Sequence, residues 1–329
     1  MKCFSIILPV YNGGQLVKEC VRSILDQTVT DFDLLILDNN SDDGTLQWIS
    51  GLNDDRIIIY PSPVRLSIEA NWGRIKDIDK NEFITLIGHD DILHPHYLSE
   101  MEQLIAKHPN ASLYQTHFSF INGAGGFTNH CMPMDEIQYG HEFLACQLAR
   151  TMDSMGTGYM MRSKDYDRLG GIPADYPNLI FADYQLWLQL GLISYKATSG
   201  KICFSYRVHN SVSKLTNGEN YQVAFEKYIR FIAALGKESE QVRLVTEKYG
   251  HDMLMYFCES LSHRLLKTAI ASRKTKVSEF INRCKDLAQL LIPGQPFEPN
   301  KKFRINIAAQ IDSNFLSRSA FYYFKKITK

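Results

Sequence analysis

The sequence contains no run of about 18 apolar residues, so no segment of it reads as a membrane-spanning helix. It contains no C-x-x-C pair. Its seven cysteines, Cys3, Cys20, Cys131, Cys146, Cys203, Cys258 and Cys284, are scattered and odd in number, and several sit in apolar segments like small core residues. That usage suits a reducing cytosol better than secretion. The formal net charge is +0, which argues against bulk attraction to nucleic acid, so no nucleic-acid partner is expected. There is no G-x-G-x-x-G after the first strand-like run and no G-x-x-x-x-G-K-[ST] anywhere, which removes the usual dinucleotide and P-loop cradles. Phosphate charge, if it is bound, must be met by a divalent metal on carboxylates or by Arg and Lys. Met1-Lys2 leads straight into a strand-like run ending at Pro9, so no signal peptide and a cytoplasmic setting are the expectation.

What is present is enough for a large core: hydrophobic residues make up 45% of 329, and charged residues 22%, which excludes disorder. The length suggests one large domain with an appendage, or two domains. Phe4–Val10 reads as a buried strand closed by Tyr11-Asn12-Gly13-Gly14. Apolar residues at helical spacing follow over 15–27. Leu34–Leu37 is a second strand, ended by the polar loop Asp38–Thr45; a helix over 44–51 follows, with Asp42 or Asp43 as its N-cap. Ile57–Tyr60 is a third strand, 67–79 a helix, and Phe83–Ile87 a fourth strand. Buried strands alternating with helices imply a parallel sheet with right-handed crossovers. The turns carrying Asn12, Asp38 and Asp90 therefore share one carboxyl edge of the sheet, where such sheets bind ligands.

Phe83–Pro95 is the stretch on which these turns converge. Its strand stops at Gly88-His89, and Asp90 and Asp91 follow side by side. Adjacent carboxylates repel, and a bound cation or polar ligand is the usual compensation. The plainer alternative is a solvated turn in which Asp90 or Asp91 caps the next helix.

Five blocks, taken in order, resemble the inverting family-two glycosyltransferases of the GT-A fold. Ile6–Gly13 is similar to that family's opening strand and P-x-Y-N turn. Ser23–Thr28 with Asp31-Phe32 resembles its S-I-L-x-Q-T-x-x-D-F stretch. Asp38–Thr45 is similar to its D-D-G-S-x-D-G-T loop, and Asp90-Asp91 with Pro95 to its D-x-D-D loop. Gly156–Pro173 with Phe181–Leu190 resembles its acceptor-side block and E-D-x-x-L-W-L helix. The resemblance covers roughly residues 1–215. It implies a Rossmann-like α/β domain, a mostly parallel sheet flanked by helices; the residues beyond it read, from their own spacing and composition, as a C-terminal helical appendage over 216–300 and a basic aromatic segment over 301–329.

The resemblance further implies a nucleotide-sugar donor, a divalent cation (Mn or Mg) and single-displacement transfer with inversion to a glycan or lipid-linked glycan. On that reading Pro9, Tyr11, Asn12, Asp38, Asn71, Asp90 and Arg207 face the donor, with Asp38 accepting from the nucleobase edge. Asp90, Asp91 and His209 are the candidate metal ligands. Asp183, at the start of its helix, is the base that takes the acceptor hydroxyl proton. Three positions depart from the family pattern: Gly88 stands where it has an acid two before Asp90, Ala70 replaces an Arg, and Ala182 replaces the Glu before Asp183. Arg65 or Arg74 could supply the missing charge to a diphosphate. The expected setting is bacterial surface-polysaccharide assembly at the cytoplasmic side. Two rivals stay open: a nucleotidyltransferase, although Asn12–Gln15 lacks the basic residue of its early Gly-rich loop, and a non-catalytic relative that binds donor only.

Beyond residue 215, helical spacing recurs over 221–235, 242–267 and 277–291, with Gly236-Lys237 expected to break the first. This appendage carries no catalytic signature; packing on the core, homodimer formation and folding over the acceptor are all open to it. In 301–329 seven basic residues, Lys301, Lys302, Arg304, Arg318, Lys325, Lys326 and Lys329, stand against one acid, Asp312, with six aromatics interleaved. Such a segment suits peripheral contact with an anionic membrane, or a terminal helix packed on the protein with solvated charges.

Overall fold

In the computed structural model, residues 2–208, 216–269 and 274–327 are described. The chain divides into two units, one of Met1–Phe143, Thr151–Asp175 and Ala182–Ser211, the other of Leu144–Arg150, Tyr176–Phe181 and Val212–Lys329. His209 lies outside the described residues.

The first unit runs β1 (Phe4–Val10), α1 (Gly14–Leu25), β2 (Phe32–Asp38), α2 (Thr45–Ser50), β3 (Ile57–Ile59), α3 (Ile68–Gly73), β4 (Phe83–Leu86), β5 (Ile92–Leu93), α4 (Tyr97–Lys107), β6 (Leu113–Asn122), β7 (Phe127–His130), β8 (Ile137–Tyr139), α5 (Gly140–Ala149, which continues into the second unit), β9 (Tyr159–Arg162), α6 (Ser163–Arg168), α7 (Ala182–Ile193) and β10 (Tyr195–Val208). The sheet order is β3-β2-β1-β4-β9-β6-β10-β5, with β7 beside β6 and β8 beside β10. The first four strands in that order are parallel, as their apolar runs imply. Every residue of β1 is buried, and Ile6, Ile7 and Leu8 are wholly so. Each such side chain stabilises the fold by about 1.5–3 kcal/mol. Helix α1 covers this region with Val17, Cys20, Val21 and Ile24.

The sheet as a whole is mixed, because β9 enters antiparallel between β4 and β6. It does so from the carboxyl edge of β4, where the Gly158 amide donates to Leu86 O at 2.9 Å. This returns the second half of the unit to the edge that carries the turns of the first half.

Three local expectations are corrected. Helix α2 is preceded by Gly44 at φ 86, so neither Asp42 nor Asp43 is its N-cap, although Asp43 Oδ1 accepts from the Thr45 amide at 3.0 Å. The helix expected over 67–79 is split into α3, capped by Ser67, and a 3-10 turn at Arg74–Asp77. Asp90 and Asp91 cap no helix: β5 follows them, and α4 begins only at Tyr97 with no side-chain cap.

The second unit holds α8 (Gly218–Glu238), α9 (Glu240–Leu266), α10 (Val277–Leu291), α11 (Phe303–Ser313) and α12 (Phe315–Ile327). Gly236-Lys237 does not break α8, which runs on to Glu238; the helix stops where Ser239 leaves the helical region and caps α9 by accepting from the Val242 amide at 3.4 Å. Its aromatic core stacks Phe181 on Tyr228, 5.4 Å between centroids, with Phe257 edge-on at 5.5 Å. Asp312 of α11 accepts from the Val277 amide at 2.7 Å and so caps α10 from a distance.

Candidate active site

The turns after β1 and β2 are clasped by side chains. Asn12 sits at φ 44, a region Asn tolerates, and this aims its amide across the edge. Asn12 Nδ2 donates to Asp42 Oδ1 at 2.6 Å, and Asn12 Oδ1 accepts from the Asp42 amide at 2.9 Å. The Asn12 amide donates to Ser41 Oγ at 3.1 Å, and the Gly14 amide to Asp43 Oδ2 at 3.1 Å. Gly13 is required because a Cβ there would lie 1.9 Å from Val17 Cγ2. Pro9 is buried in β1, while Tyr11 is half-buried at its end.

Asp38 closes β2 opposite Val10 and is 1% exposed. Its two carboxylate oxygens accept from the Ser41 amide at 3.4 and 3.2 Å, a local Asx-type contact. Asn71 is buried, donates to Leu37 O at 3.3 Å and accepts from Arg74 at 2.9 Å. Arg74 also donates to the carbonyls of Asp38, Tyr60 and Pro61. Asn71 and Arg74 therefore brace the backbone around Asp38. Of the two arginines considered for a diphosphate, Arg65 is the exposed one, its guanidinium 4.4 Å from the Tyr11 ring.

The acidic turn divides its two carboxylates. Asp91 is 1% exposed; Oδ2 accepts from Thr157 Oγ1 at 2.7 Å and Oδ1 from the Arg207 amide at 2.9 Å. Burial, and then the charge of Asp90, push its carboxyl above the usual range. Asp90 stays half-buried. A Cβ on Gly88 would lie 2.8 Å from Asp90 Oδ1, so Asp90 already occupies the space that a side chain at 88 would need. The His89 ring lies beside Gly13, 3.5 Å from where its Cβ would be, which ties this turn to the β1 turn.

Arg207 meets a geometry different from the expected phosphate contact. Its side chain is 1% exposed and paired with Glu19 at 2.9 Å. Nε donates to Asp90 O at 2.6 Å, and Nη1 to Gly123 O at 3.3 Å. With its donors turned onto protein acceptors, Arg207 holds the Asp90 backbone instead of presenting a free cation.

Asp183 lies in the first turn of α7. It is half-buried, and desolvation pushes its carboxyl up to about 6, against the pull of its own amide and that of Tyr184. Helix α7 is fixed by Trp187, whose Nε1 donates to Met155 O at 2.9 Å and whose ring stacks on Tyr159 at 4.5 Å. This lays 155–159 along the helix. A Cβ on Gly156 would lie 3.4 Å from Asp183 Oδ2, and the next residue, Thr157, holds Asp91. Two consecutive residues thus join the candidate base to the acidic turn.

Glu19, Ser41, Thr157 and Met155 were not singled out from the sequence. Thr157, between two glycines, and Ser41, inside the polar loop Asp38–Thr45, carried a signal; Glu19 and Met155 carried none. Among the described residues no three His, Cys, Asp or Glu side chains gather into a ready-made metal cluster. The donor set nevertheless fits a hard cation, because Mg²⁺ is commonly held by one or two carboxylates together with substrate phosphates, and Asp90 is a half-buried carboxylate beside a second acid.

The family described as "Glycosyl transferase family 2" matches residues 5–170, half of the chain. An uncharacterized glycosyltransferase of Rickettsia typhi is 21% identical over 279 residues, 83% of this chain and 85% of that one. The Escherichia coli protein WfgD, named a UDP-Glc:alpha-D-GlcNAc-diphosphoundecaprenol beta-1,3-glucosyltransferase, is 25% identical over 210 residues, 63% of this chain and 78% of that one. In fold, the chain is similar to Staphylococcus aureus TarS 1–349 in complex with UDP-GlcNAc, with TM-score 0.68 and 15% identity over 99% of this chain and 92% of that one. With the mixed α/β sheet, these findings place it: the chain belongs to glycosyl transferase family 2.

Proposed function

We propose that the protein is an inverting, cation-assisted glycosyltransferase that moves a sugar from a nucleoside-diphosphate donor to a glycan or lipid-linked glycan in bacterial surface-polysaccharide assembly. The observation that carries this is the pairing of Asp183 with the Asp90-Asp91 turn through Gly156-Thr157. A base and a leaving-group site held at fixed separation are what single displacement requires. The names of WfgD, with UDP-Glc and a lipid diphosphate acceptor, and of the TarS complex, with UDP-GlcNAc, support a UDP-sugar and a lipid-linked acceptor.

Asp183 takes the proton of the acceptor hydroxyl while that oxygen attacks the anomeric carbon. The new C–O bond forms on the face opposite the leaving group, the bond from C1 to the diphosphate oxygen breaks, and the electron pair leaves with the diphosphate. Asp90 would hold a divalent cation, which when bound offsets the charge of the leaving diphosphate. Asp91 and Arg207 fix the turn that presents Asp90. Asp38 reads the base, and Arg65 adds positive charge at the Tyr11 turn. The proposed setting is the inner face of the cell membrane, reached by peripheral contact; no described helix is long and apolar enough to span it.

The test is transfer and donor hydrolysis with UDP-sugars and Mn²⁺ or Mg²⁺. Sugar release that disappears in Asp90→Ala supports the reading. Tight donor binding without turnover on any acceptor would favour the binding-only relative, which Gly88 and Ala182 bring to mind.

A further inference from the structure

Helix α12 buries a charged residue and exposes an apolar stripe, more than a helix that only closes a bundle needs. Its buried residue is Arg318, 1% exposed, whose Nη2 donates to Leu265 O and Thr268 O at 2.6 Å and whose Nε faces Asp312 Oδ1 at 3.1 Å. Phe321 and Tyr322 are half-buried on the same side, while other apolar residues are outside: Leu316 is 74% exposed, Tyr323 61% and Ile327 83%. At roughly 100° per residue, Leu316, Ala320, Tyr323 and Ile327 fall on one stripe, on the side of the helix opposite Arg318. Phe315 and Phe324, also exposed, flank it on either side.

The charge around the stripe selects its occupant. Helix α12 contains no Asp or Glu, and Lys325 and Lys326 close it, both exposed. The nearest acid in sequence, Asp312, is buried and already taken by Arg318 and the Val277 amide. A second copy laid on this stripe would bring lysines to a surface whose helix has no acid to receive them. An anionic bilayer offers both an apolar boundary and phosphates. We propose that α12 lies on an anionic lipid surface, with Leu316, Tyr323 and Ile327 entering the headgroup–acyl boundary and Lys325 and Lys326 meeting lipid phosphates. This rests on the peripheral-contact reading above and names the surface that makes the contact.

The experiment is flotation of the full chain with phosphatidylcholine vesicles, with and without phosphatidylglycerol. The wild type should float with the anionic vesicles and detach as salt rises. Lys325→Gln/Lys326→Gln should weaken partitioning about 30-fold, each lysine near the surface counting about fivefold. Leu316→Glu/Tyr323→Glu/Ile327→Glu should abolish flotation; because these side chains are exposed, helicity by circular dichroism and the thermal shift with a UDP-sugar should be retained. If the wild type does not float, peripheral contact and this assignment both fall. If the triple variant floats like the wild type, only the α12 assignment falls. If the stripe instead drives a dimer, broken by the same variant and without flotation, the occupant is a second copy and the proposal is overturned.

Discussion

As the proposed base, Asp183 has to be ionised when an acceptor hydroxyl arrives, and burial works against that. Its carboxyl is pushed up to about 6 by desolvation, close enough to neutrality for it to be both mostly ionised and basic. The turnover rate is therefore expected to fall about tenfold per unit as pH drops below about 6, measured as kcat at saturating donor and acceptor. The same shift has a stability consequence of opposite sign to the usual carboxylate. The native state binds its proton more tightly than the unfolded chain, so stability declines as pH rises from 3.8 towards about 6 and stays lower above it. Asp183→Asn removes that burden. It should raise Tm at neutral pH while lowering kcat by about 10²–10⁴-fold. A variant with nearly unchanged kcat would remove Asp183 as the base. Gly88 makes a second point at this scale. Restoring an acid with Gly88→Asp places its Cβ 2.8 Å from Asp90 Oδ1, so Asp90 must move. The expected result is lower kcat/KM and lower Tm than wild type, and improved activity would show that the turn has room after all.

At the scale of elements, α7 aligns the site through one side chain. Trp187 binds Met155 O and stacks on Tyr159, and the segment so placed carries Gly156 against Asp183 and Thr157 against Asp91. Trp187→Phe keeps an aromatic ring but loses the N–H. It should cost about 0.5–1.5 kcal/mol of stability in urea unfolding. It should also lower kcat by roughly 10–100-fold through misplacement, with donor Kd unchanged. Elements of this kind differ in how legible they were. Strands β1, β2 and β4 are buried on both faces and read directly as apolar runs. Strand β10 hid itself, because it buries Lys196, Ser199 and Arg207 by pairing them internally, as Lys196 Nζ does with Gln115 Oε1 at 3.0 Å. Gly236 misled because a helix tolerates an interior glycine at modest cost, and α8 runs through it to Glu238. In the site, Asp38 and Asp90 were marked by the turns that end their strands, and Asp183 by the resemblance of its helix to the family's E-D-x-x-L-W-L segment. The roles of Asn71, Arg74 and Arg207 could not be read, since a sequence does not say which acceptors a buried guanidinium will find.

At the scale of the whole molecule, every described candidate for donor or acceptor chemistry lies in the first unit, and the second unit carries only helices and the basic C-terminal segment. The net charge of +0 gives no general attraction to a doubly charged diphosphate, so donor affinity must come from local groups. Asp38 and Asp90 make that edge acidic, and Arg65 at the Tyr11 turn is exposed to oppose them. A diphosphate brought there alone meets repulsion from Asp90; with a divalent cation the same carboxylate becomes an attraction. Donor binding and cation binding should therefore be coupled. A UDP-sugar at about 100 times its Kd should stabilise the chain by about 2.7 kcal/mol in the presence of Mn²⁺ or Mg²⁺. Chelation with EDTA should remove most of that thermal shift while leaving the donor-free Tm in place, because the proposed cation is held jointly by Asp90 and the donor's phosphates. A shift of equal size with and without chelator would mean that Arg65 and its neighbours carry the diphosphate unaided, and Asp90 would then need another role.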